Sequence, residues 1–154
     1  RRPIPGSFPA AVEHLAQRMH EDFGYGELEI HGAGDDGADI VAWRPFADLQ
    51  PSQMIVLAQC TIGTDWREKR SELDVEVWRR HIRWHTQPVK AFGVPFCHEL
   101  GNSWRETAAR GGIVFDRPRI AALVETADIP NRLRTKLVSW CGQRLEQVVA
   151  LSLG

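Results

Sequence analysis

The stretch "GDDGADIVAW", residues 34–43, decides the fold, because glycines and aspartates run directly into a β-forming segment. Gly and Asp favour turns, and a turn before such a run predicts the start of a strand. A carboxylate at the start of a buried strand, here Asp39, can also hold a metal ion. The stretch is therefore consistent both with a plain turn before a strand and with a metal-binding carboxylate, and the rest of the sequence is needed to choose between them.

The length and composition favour a single soluble domain. The chain has 154 residues, of which 43% are hydrophobic and 25% charged, values that are ordinary for a globular domain. We therefore predict one domain over residues 1–154. Because the chain opens on "RRPIPG" without Met, we expect it to be cut from a longer protein with further domains. The longest apolar run, "MIVLA", is too short to cross a bilayer, so no membrane partner is expected.

Charge is balanced over the whole chain but not along it. The formal net charge is −1, which excludes a global basic field of the kind that announces nucleic acid. Basic side chains nevertheless crowd one segment, and its arginines are the predicted nucleic-acid contacts: Arg67, Arg70, Arg79, Arg80 and Arg83.

The cysteines indicate a reducing compartment. Cys60, Cys97 and Cys141 are widely spaced and odd in number, which fits free thiols better than a disulfide framework. We therefore expect a cytoplasmic protein, with Cys60 as a small buried hydrophobic residue.

Periodicity predicts an α/β fold. Helical spacing of apolar residues covers 8–23, and short strands follow at 27–32, 38–43 and 54–60. A long helix is predicted over 66–85 with Asp65 as its cap, followed by strands at 91–97 and 111–116 and a short helix. A last helix starts at Pro130. This order predicts a mixed sheet flanked by helices.

Three side chains in this order suggest a site. Asp39 opens one strand and Gln59 closes the next, so the two ends lie side by side if the strands pair as a meander. Lys69 falls in the first turn of the helix that follows. An acid, a carboxamide and a lysine at one sheet edge suit phosphodiester hydrolysis with Mg²⁺ or Mn²⁺, because these ions prefer oxygen ligands.

The segment "DDGADIVAW", followed by "AQC" at 58–60, resembles the PD-(D/E)XK nuclease superfamily, most closely its Mrr-like restriction endonuclease branch. The resemblance covers roughly residues 8 to 120 and implies a restriction-endonuclease-like αβββαβ core. It implies that Asp39 binds the metal, that Gln59 occupies the Glu/Gln position of the metal site, and that Glu13 on the first helix assists the metal.

The chain departs from this pattern at the usual lysine position, two residues after Gln59, where it has Thr61. Members of the superfamily move this lysine to the neighbouring helix, and Lys69 suits that arrangement. Each residue also has a plainer interpretation: Asp39 as a turn acid, Gln59 as a bonded core amide, and Lys69 as part of a solvated helix face. Glu13 as a surface acid is favoured over the metal role.

The tryptophans of the Arg-rich segment can have either of two roles. Trp66, Trp78 and Trp84 lie on the Arg-rich segment, where aromatic rings beside arginines can stack on bases. They can equally fill the core between helix and sheet, and we favour that interpretation for Trp66.

Taken with the resemblance, these features predict a Mg²⁺- or Mn²⁺-dependent deoxyribonuclease domain of a bacterial restriction or anti-phage defence protein. DNA and other domains of the same longer chain are the expected partners, and a homodimer is left open. The alternative is a catalytically inactive domain of the same fold that binds nucleic acid or protein. A more distant alternative is an unrelated α/β interaction domain.

Overall fold

The computed structural model describes residues 5–24, 36–126 and 129–152. They form two compact units, with the boundary between Arg117 and Pro118. The strand predicted at 27–32 lies outside the described residues. The single domain predicted over 1–154, like its excision from a longer protein, stays a prediction.

The first unit begins with helix α1, Phe8–Met19. Its predicted apolar face is confirmed for Val12, Ala16 and Met19, which are buried. The predicted extension to 23 is wrong, because Phe23 lies in a strand and is exposed. The helix ends at His20, which adopts the left-handed conformation (φ 59°). Strand β1, Asp22–Phe23, then pairs antiparallel with β4, Ile82–Arg83, and holds the end of α1 against a distant part of the chain.

The main sheet has four strands in the order β2-β3-β5-β6. They are β2 (Ile40–Arg44), β3 (Met54–Cys60), β5 (Val89–Gly93) and β6 (Ile113–Phe115). β2 runs antiparallel to β3, whereas β3, β5 and β6 run parallel to one another. The predicted mixed sheet flanked by helices is therefore confirmed.

The core lies between α1 and the sheet. Leu57 of β3 is fully buried, as are Met19 and Ile82, and Trp78 is only 2% exposed. Trp84 belongs to the same cluster at 7% exposure, so both of these tryptophans are core residues. The predicted burial of β3 holds for Leu57, Ala58 and Gln59, while Met54 at the start of the strand is exposed.

The long helix predicted over 66–85 is wrong. The chain forms two short helices, α2 (Trp66–Lys69) and α3 (Val75–Trp78), and then strand β4. Asp74 separates the helices because it adopts extended backbone and its side chain caps α3 by accepting a hydrogen bond from the N–H of Glu76. Asp65 precedes α2, but its side chain makes no capping hydrogen bond.

Helix α4, Asn102–Gly111, was not predicted and connects β5 to β6. A crossover helix of this kind is what a parallel strand pair requires. α5 (Arg117–Thr126) and α6 (Asn131–Ser152) follow, in agreement with the predicted helices after β6 and after Pro130. Within the described ranges, no helix is both long enough and apolar enough to span a membrane.

Candidate active site

The turn at Asp36 and Gly37 has a structural role. Gly37 has φ +76°, and an added Cβ would come within 2.9 Å of the backbone nitrogen of Leu73, so this position requires glycine. Asp36 also has positive φ, 46°. Its carbonyl oxygen accepts a hydrogen bond from Trp78 Nε1 at 3.2 Å, and its carboxylate pairs with the buried ring of His81. Asp36 therefore anchors the turn to the core.

Asp39, the last acid of the stretch, faces the end of the neighbouring strand. Ile40 pairs with Ala58 in the antiparallel register, which brings the residue before β2 beside the end of β3. The Asp39 Oδ2 atom accepts a hydrogen bond from the backbone N–H of Cys60 at 2.6 Å. The predicted proximity of the two strand ends is thus confirmed. Among the described residues, none forms a hydrogen bond with the other carboxylate oxygen of the exposed Asp39.

Gln59 is 5% exposed, and its side chain projects from the C-terminal end of β3. Its Nε2 donates to Glu72 Oε2 at 2.8 Å. Because Glu72 can only accept this bond, the orientation of the amide is determined. The Oε1 atom of Gln59 is buried, and none of the described residues donates a hydrogen bond to it, a costly situation for a buried acceptor unless a further group binds to it.

Lys69 is brought to the same place by Glu72. The Nζ of Lys69 lies 2.8 Å from Glu72 Oε1 and 3.1 Å from Oε2. This hydrogen bond and the negative charges of Glu72, Asp65 and Asp39 raise the pKa of Lys69. The ion pair with Lys69, followed by the bond from Gln59, lowers the pKa of Glu72. The ammonium and the carboxylate therefore both stay charged at neutral pH.

Glu72 is the site residue that the sequence interpretation missed. It follows Lys69 by three residues, a spacing at which side chains on a helix meet. That spacing was the available signal, but it also occurs on ordinary solvated helix faces. What the sequence pattern does not reveal is that the chain turns after α2, so that Glu72 faces Gln59.

The donor set has a partial fit to a divalent ion. Asp39 supplies a carboxylate, and the unpartnered Gln59 Oε1 supplies a second oxygen of the kind that Mg²⁺ prefers. Among the described residues, no group of three or more His, Cys, Asp or Glu side chains is arranged to hold a metal. A hard ion that keeps several waters does not need such a group.

Glu13 is placed elsewhere. It is exposed on α1, and its carboxylate accepts a hydrogen bond from Gln17 at 3.4 Å. Within the part of the chain that the structure describes, no recorded hydrogen bond or ion pair joins Glu13 to Asp39, Gln59 or Lys69. The plain surface interpretation of Glu13 accounts for its position.

The predicted arginine contacts fall into two groups. Arg67, Arg79, Arg80 and Arg83 are exposed, although Arg79 pairs with Glu76 at 3.3 Å. Arg70 is buried, at 7% exposure. It donates to Glu106 at 2.9 Å and to Thr107 at 3.3 Å, so its position is that of a structural residue.

Cys60 is exposed and carries a free thiol, which corrects the expectation of a buried residue. Its sulfur lies close to Gly93 on the neighbouring strand. Desolvation of the thiol, and secondly the charge of Asp39, raise its pKa. A thiol whose pKa is raised is a poor nucleophile at neutral pH, so the chemistry of this edge rests on the other side chains.

Comparison with known proteins identifies no relative: no protein-family model, curated protein or solved structure matches this chain. The interpretation of the site therefore depends on its own geometry.

Proposed function

We propose that this chain is a metal-dependent nuclease domain of the PD-(D/E)XK type that hydrolyses phosphodiester bonds in DNA. One observation carries the proposal: Asp39 and Gln59 lie where β2 begins and β3 ends, and Lys69 is linked to Gln59 through Glu72. Asp39 bonds to the N–H of Cys60, and Lys69 shares the carboxylate of Glu72 with Gln59.

The order of the elements supports the proposal. A helix precedes the sheet, an antiparallel strand pair presents the acid and the amide, and helical turns lead into a strand parallel to β3. This succession supports the proposal of the αβββαβ core that the resemblance implies. The strand predicted at 27–32 lies outside the described residues. Restriction or another defence activity, and a cytoplasmic location, extend the proposal by analogy.

In the proposed site, Asp39 and the Oε1 of Gln59 would hold Mg²⁺ or Mn²⁺. When bound, the ion would activate a water and offset negative charge on the phosphate. Glu72 orients the amide of Gln59 and holds the ammonium of Lys69. Lys69, a cation at neutral pH whose pKa is raised further by Glu72, would place a positive charge beside the scissile phosphate.

A catalytically inactive binding module is the second candidate. The observation in its favour is that Glu72 neutralises Lys69 through both carboxylate oxygens, at 2.8 and 3.1 Å. In addition, Thr61 stands where the resemblance places a lysine. A cation that stays paired with Glu72 would support the fold rather than act on a phosphate.

Metal binding and cleavage together test the proposal. Titration calorimetry with Mn²⁺ should show binding that Asp39→Asn abolishes, and plasmid nicking should require a divalent ion and stop with EDTA. Asp48→Asn is the matched control, since Asp48 is an exposed acid of the β2–β3 connector that accepts a bond from the N–H of Gln50. Its metal affinity and cleavage should equal those of the parent.

Other results would contradict the nuclease proposal or favour the second candidate. Cleavage that is unaffected by EDTA, or absent with every ion tried, contradicts the nuclease proposal. DNA binding without cleavage by the metal-saturated protein favours the inactive binding module.

A further inference from the structure

A small aromatic cavity lies beside the candidate active site. Its volume is about 190 Å³. Aromatic and polar side chains line it: Trp66, Arg67, Phe96, His98, Glu99 and Ser103. This volume is below the roughly 300–1,000 Å³ of a typical small-molecule site, so the cavity suits one ring system rather than a whole cofactor.

The aromatic side chains form one continuous wall. The ring centroids of Trp66 and Phe96 are 5.5 Å apart with an interplanar angle of 59°, and those of Trp66 and His98 are 5.1 Å apart. Because the rings touch one another, they cannot sandwich a ligand. They present a surface against which a flat ring can pack, and Trp66 and Phe96 are both partly exposed.

The His98 ring is a fixed part of this wall. Its Nδ1 donates to the carbonyl oxygen of Glu99 at 2.8 Å, so the neutral ring accepts at Nε2 from the Thr107 hydroxyl, 3.0 Å away. The same hydroxyl accepts a bond from the buried Arg70. Both ring nitrogens are therefore engaged, and His98 shapes the cavity without offering a bond to a ligand.

The remaining lining residues offer polar groups. The guanidinium of Arg67 lies 4.5 Å from the centroid of the Trp66 ring and is exposed. Glu99 is exposed as well, and Ser103 is partly buried in the first turn of α4. The cavity thus combines a cation and a hydroxyl with a carboxylate, which can accept a bond from an exocyclic amino group.

The position of the cavity connects it to the candidate site. Trp66 and Lys69 are the first and last residues of α2, and a helix rises only about 1.5 Å per residue. Phe96 and His98 follow β5, and the N–H of Thr61 after β3 bonds to the carbonyl oxygen of Gly93 at 3.1 Å. The residues that line the cavity therefore follow the ends of β3 and β5, as Lys69 follows the end of β3.

We infer that this cavity binds a single nucleobase of an unpaired strand, next to the phosphate that Lys69 serves. The inference rests on the proposed function for the identity of the neighbouring phosphate. Base stacking on an aromatic wall with an arginine beside it is the chemistry of single-strand binding. Glu99 favours bases that carry an exocyclic amino group over thymine.

Free nucleotides test the cavity without any cleavage step. Calorimetric titration with dCMP or dAMP should give tighter binding than deoxyribose 5-phosphate, which has the same phosphate but no base. Phe96→Ala should weaken nucleotide binding by roughly 5- to 150-fold, the range measured for loss of one stacking contact, and leave the sugar phosphate unaffected. Arg67→Gln should weaken both ligands. Arg44→Gln, which changes an exposed arginine at the far end of β2 and outside the cavity, is the matched control.

A short single-stranded oligonucleotide and its fully abasic analogue extend the test. The parent should bind the base-containing strand more tightly, and Phe96→Ala should remove this preference. Circular dichroism of each variant verifies folding. If Phe96→Ala does not fold, Phe96→Leu takes its place: it keeps an apolar side chain without an aromatic face, and it should also lose the preference for the base-containing strand.

The outcomes separate this inference from the nuclease proposal. Equal affinity of the parent for nucleotides and sugar phosphate, or a base preference that survives Phe96→Ala, overturns the nucleobase site even if DNA is cleaved. A base preference lost in Phe96→Ala supports the site even if no cleavage occurs with any ion, in which case the nuclease proposal alone fails.

Discussion

The Nζ atom of Lys69 lies 2.8 Å from Oε1 of Glu72, and this pair organises the candidate site. The second oxygen of Glu72 accepts the amide of Gln59 at 2.8 Å. One carboxylate thereby determines the direction of an amide on β3 and of an ammonium on α2. Since both charged groups are well exposed to solvent, the pair contributes more to geometry than to stability.

We expect Lys69→Ala to reduce cleavage strongly while the fold and the binding of Mn²⁺ persist. Loss of one group that stabilises charge in the transition state typically lowers the rate by about 10²–10³. Single-turnover plasmid cleavage measures the effect, with calorimetry for the metal. Lys136→Ala on the exposed surface of α6 is the control. Cleavage by Lys69→Ala at the parent rate would show that the lysine is only surface charge.

Glu72 should behave as a positioning residue. Glu72→Ala removes the acceptor of both Lys69 and Gln59, so we expect slower cleavage and weaker metal binding. Glu72→Gln keeps one acceptor oxygen and should recover part of both properties. It should also lower the pKa of Lys69, because Glu72 is the largest cause of its elevation. NMR titration of the lysine ammonium checks this, and an unchanged Lys69 pKa in Glu72→Ala would contradict the assignment.

The exposed arginines after α3 should steer DNA binding. Replacing Arg79, Arg80 and Arg83 together by Ala should weaken binding and flatten its salt dependence, by roughly 0.9 in the logarithmic slope for each lost phosphate contact. Affinity measured over a series of salt concentrations tests this. The double change of Arg132 and Arg134, both exposed on α6, is the control. An unaltered slope in the triple variant would make these arginines an ordinary solvated face.

Gly37→Ala should destabilise the protein by about 1–3 kcal/mol, because alanine resists positive φ and its Cβ would meet the backbone of Leu73 at 2.9 Å. Gly142→Ala provides a control of opposite sign. This position lies within α6, where an added Cβ meets nothing within 4 Å, so a gain of about 0.5–1 kcal/mol is expected. Urea unfolding measures both. A neutral Gly37→Ala would contradict the turn geometry on which Asp39 depends.

The His85–Glu21 pair should make stability depend on pH. Glu21 is 6% exposed and accepts bonds from the N–H of Ser52 and from the backbone and ring of His85. The side-chain bond to Glu21, and then the charges of Glu21 and Asp22, raise the pKa of His85 above 6.5. A raised pKa gives stability that is fully present below pH 6.5 and is lost as pH rises through the folded-state pKa.

We therefore expect the urea midpoint of the parent to fall as pH rises above 6.5, the unshifted histidine value, and His85→Gln to reduce this slope. His14→Gln is the control, since His14 lies on α1 away from this pair. A parent protein whose pH slope survives His85→Gln would locate the titrating group elsewhere.

Several features were predictable from the sequence because their causes are local. The apolar spacing of Val12, Ala16 and Met19 predicts α1. The continuous run at Met54–Cys60 predicts the buried strand β3, and the turn residues before Ile40 predict where β2 begins. Since neighbouring strands of a hairpin pair antiparallel, the proximity of Asp39 and Gln59 follows from these elements.

The remaining features were decided by contacts between residues that are distant along the chain. The helix predicted over 66–85 stops because Asp74 caps a new helix and because Ile82 pairs with Phe23. Helix α4 was not predicted because it is short and mostly polar: of its ten residues, only Thr107 and Gly111 are buried, so few apolar residues mark its inner face.

The contacts of Glu72 and of the aromatic cavity also could not be predicted from the sequence. Sequence spacing pairs Glu72 with Lys69 but does not reveal Gln59 as the third member, since that contact exists only after β3 and the turn beyond α2 pack together. Trp66 meets Phe96 and His98 only because the parallel strands β3 and β5 end at one edge of the sheet. Local pattern determined which side chains were available, and the packing of the sheet edge decided which of them meet, because such contacts depend on strand order and register rather than on residue type.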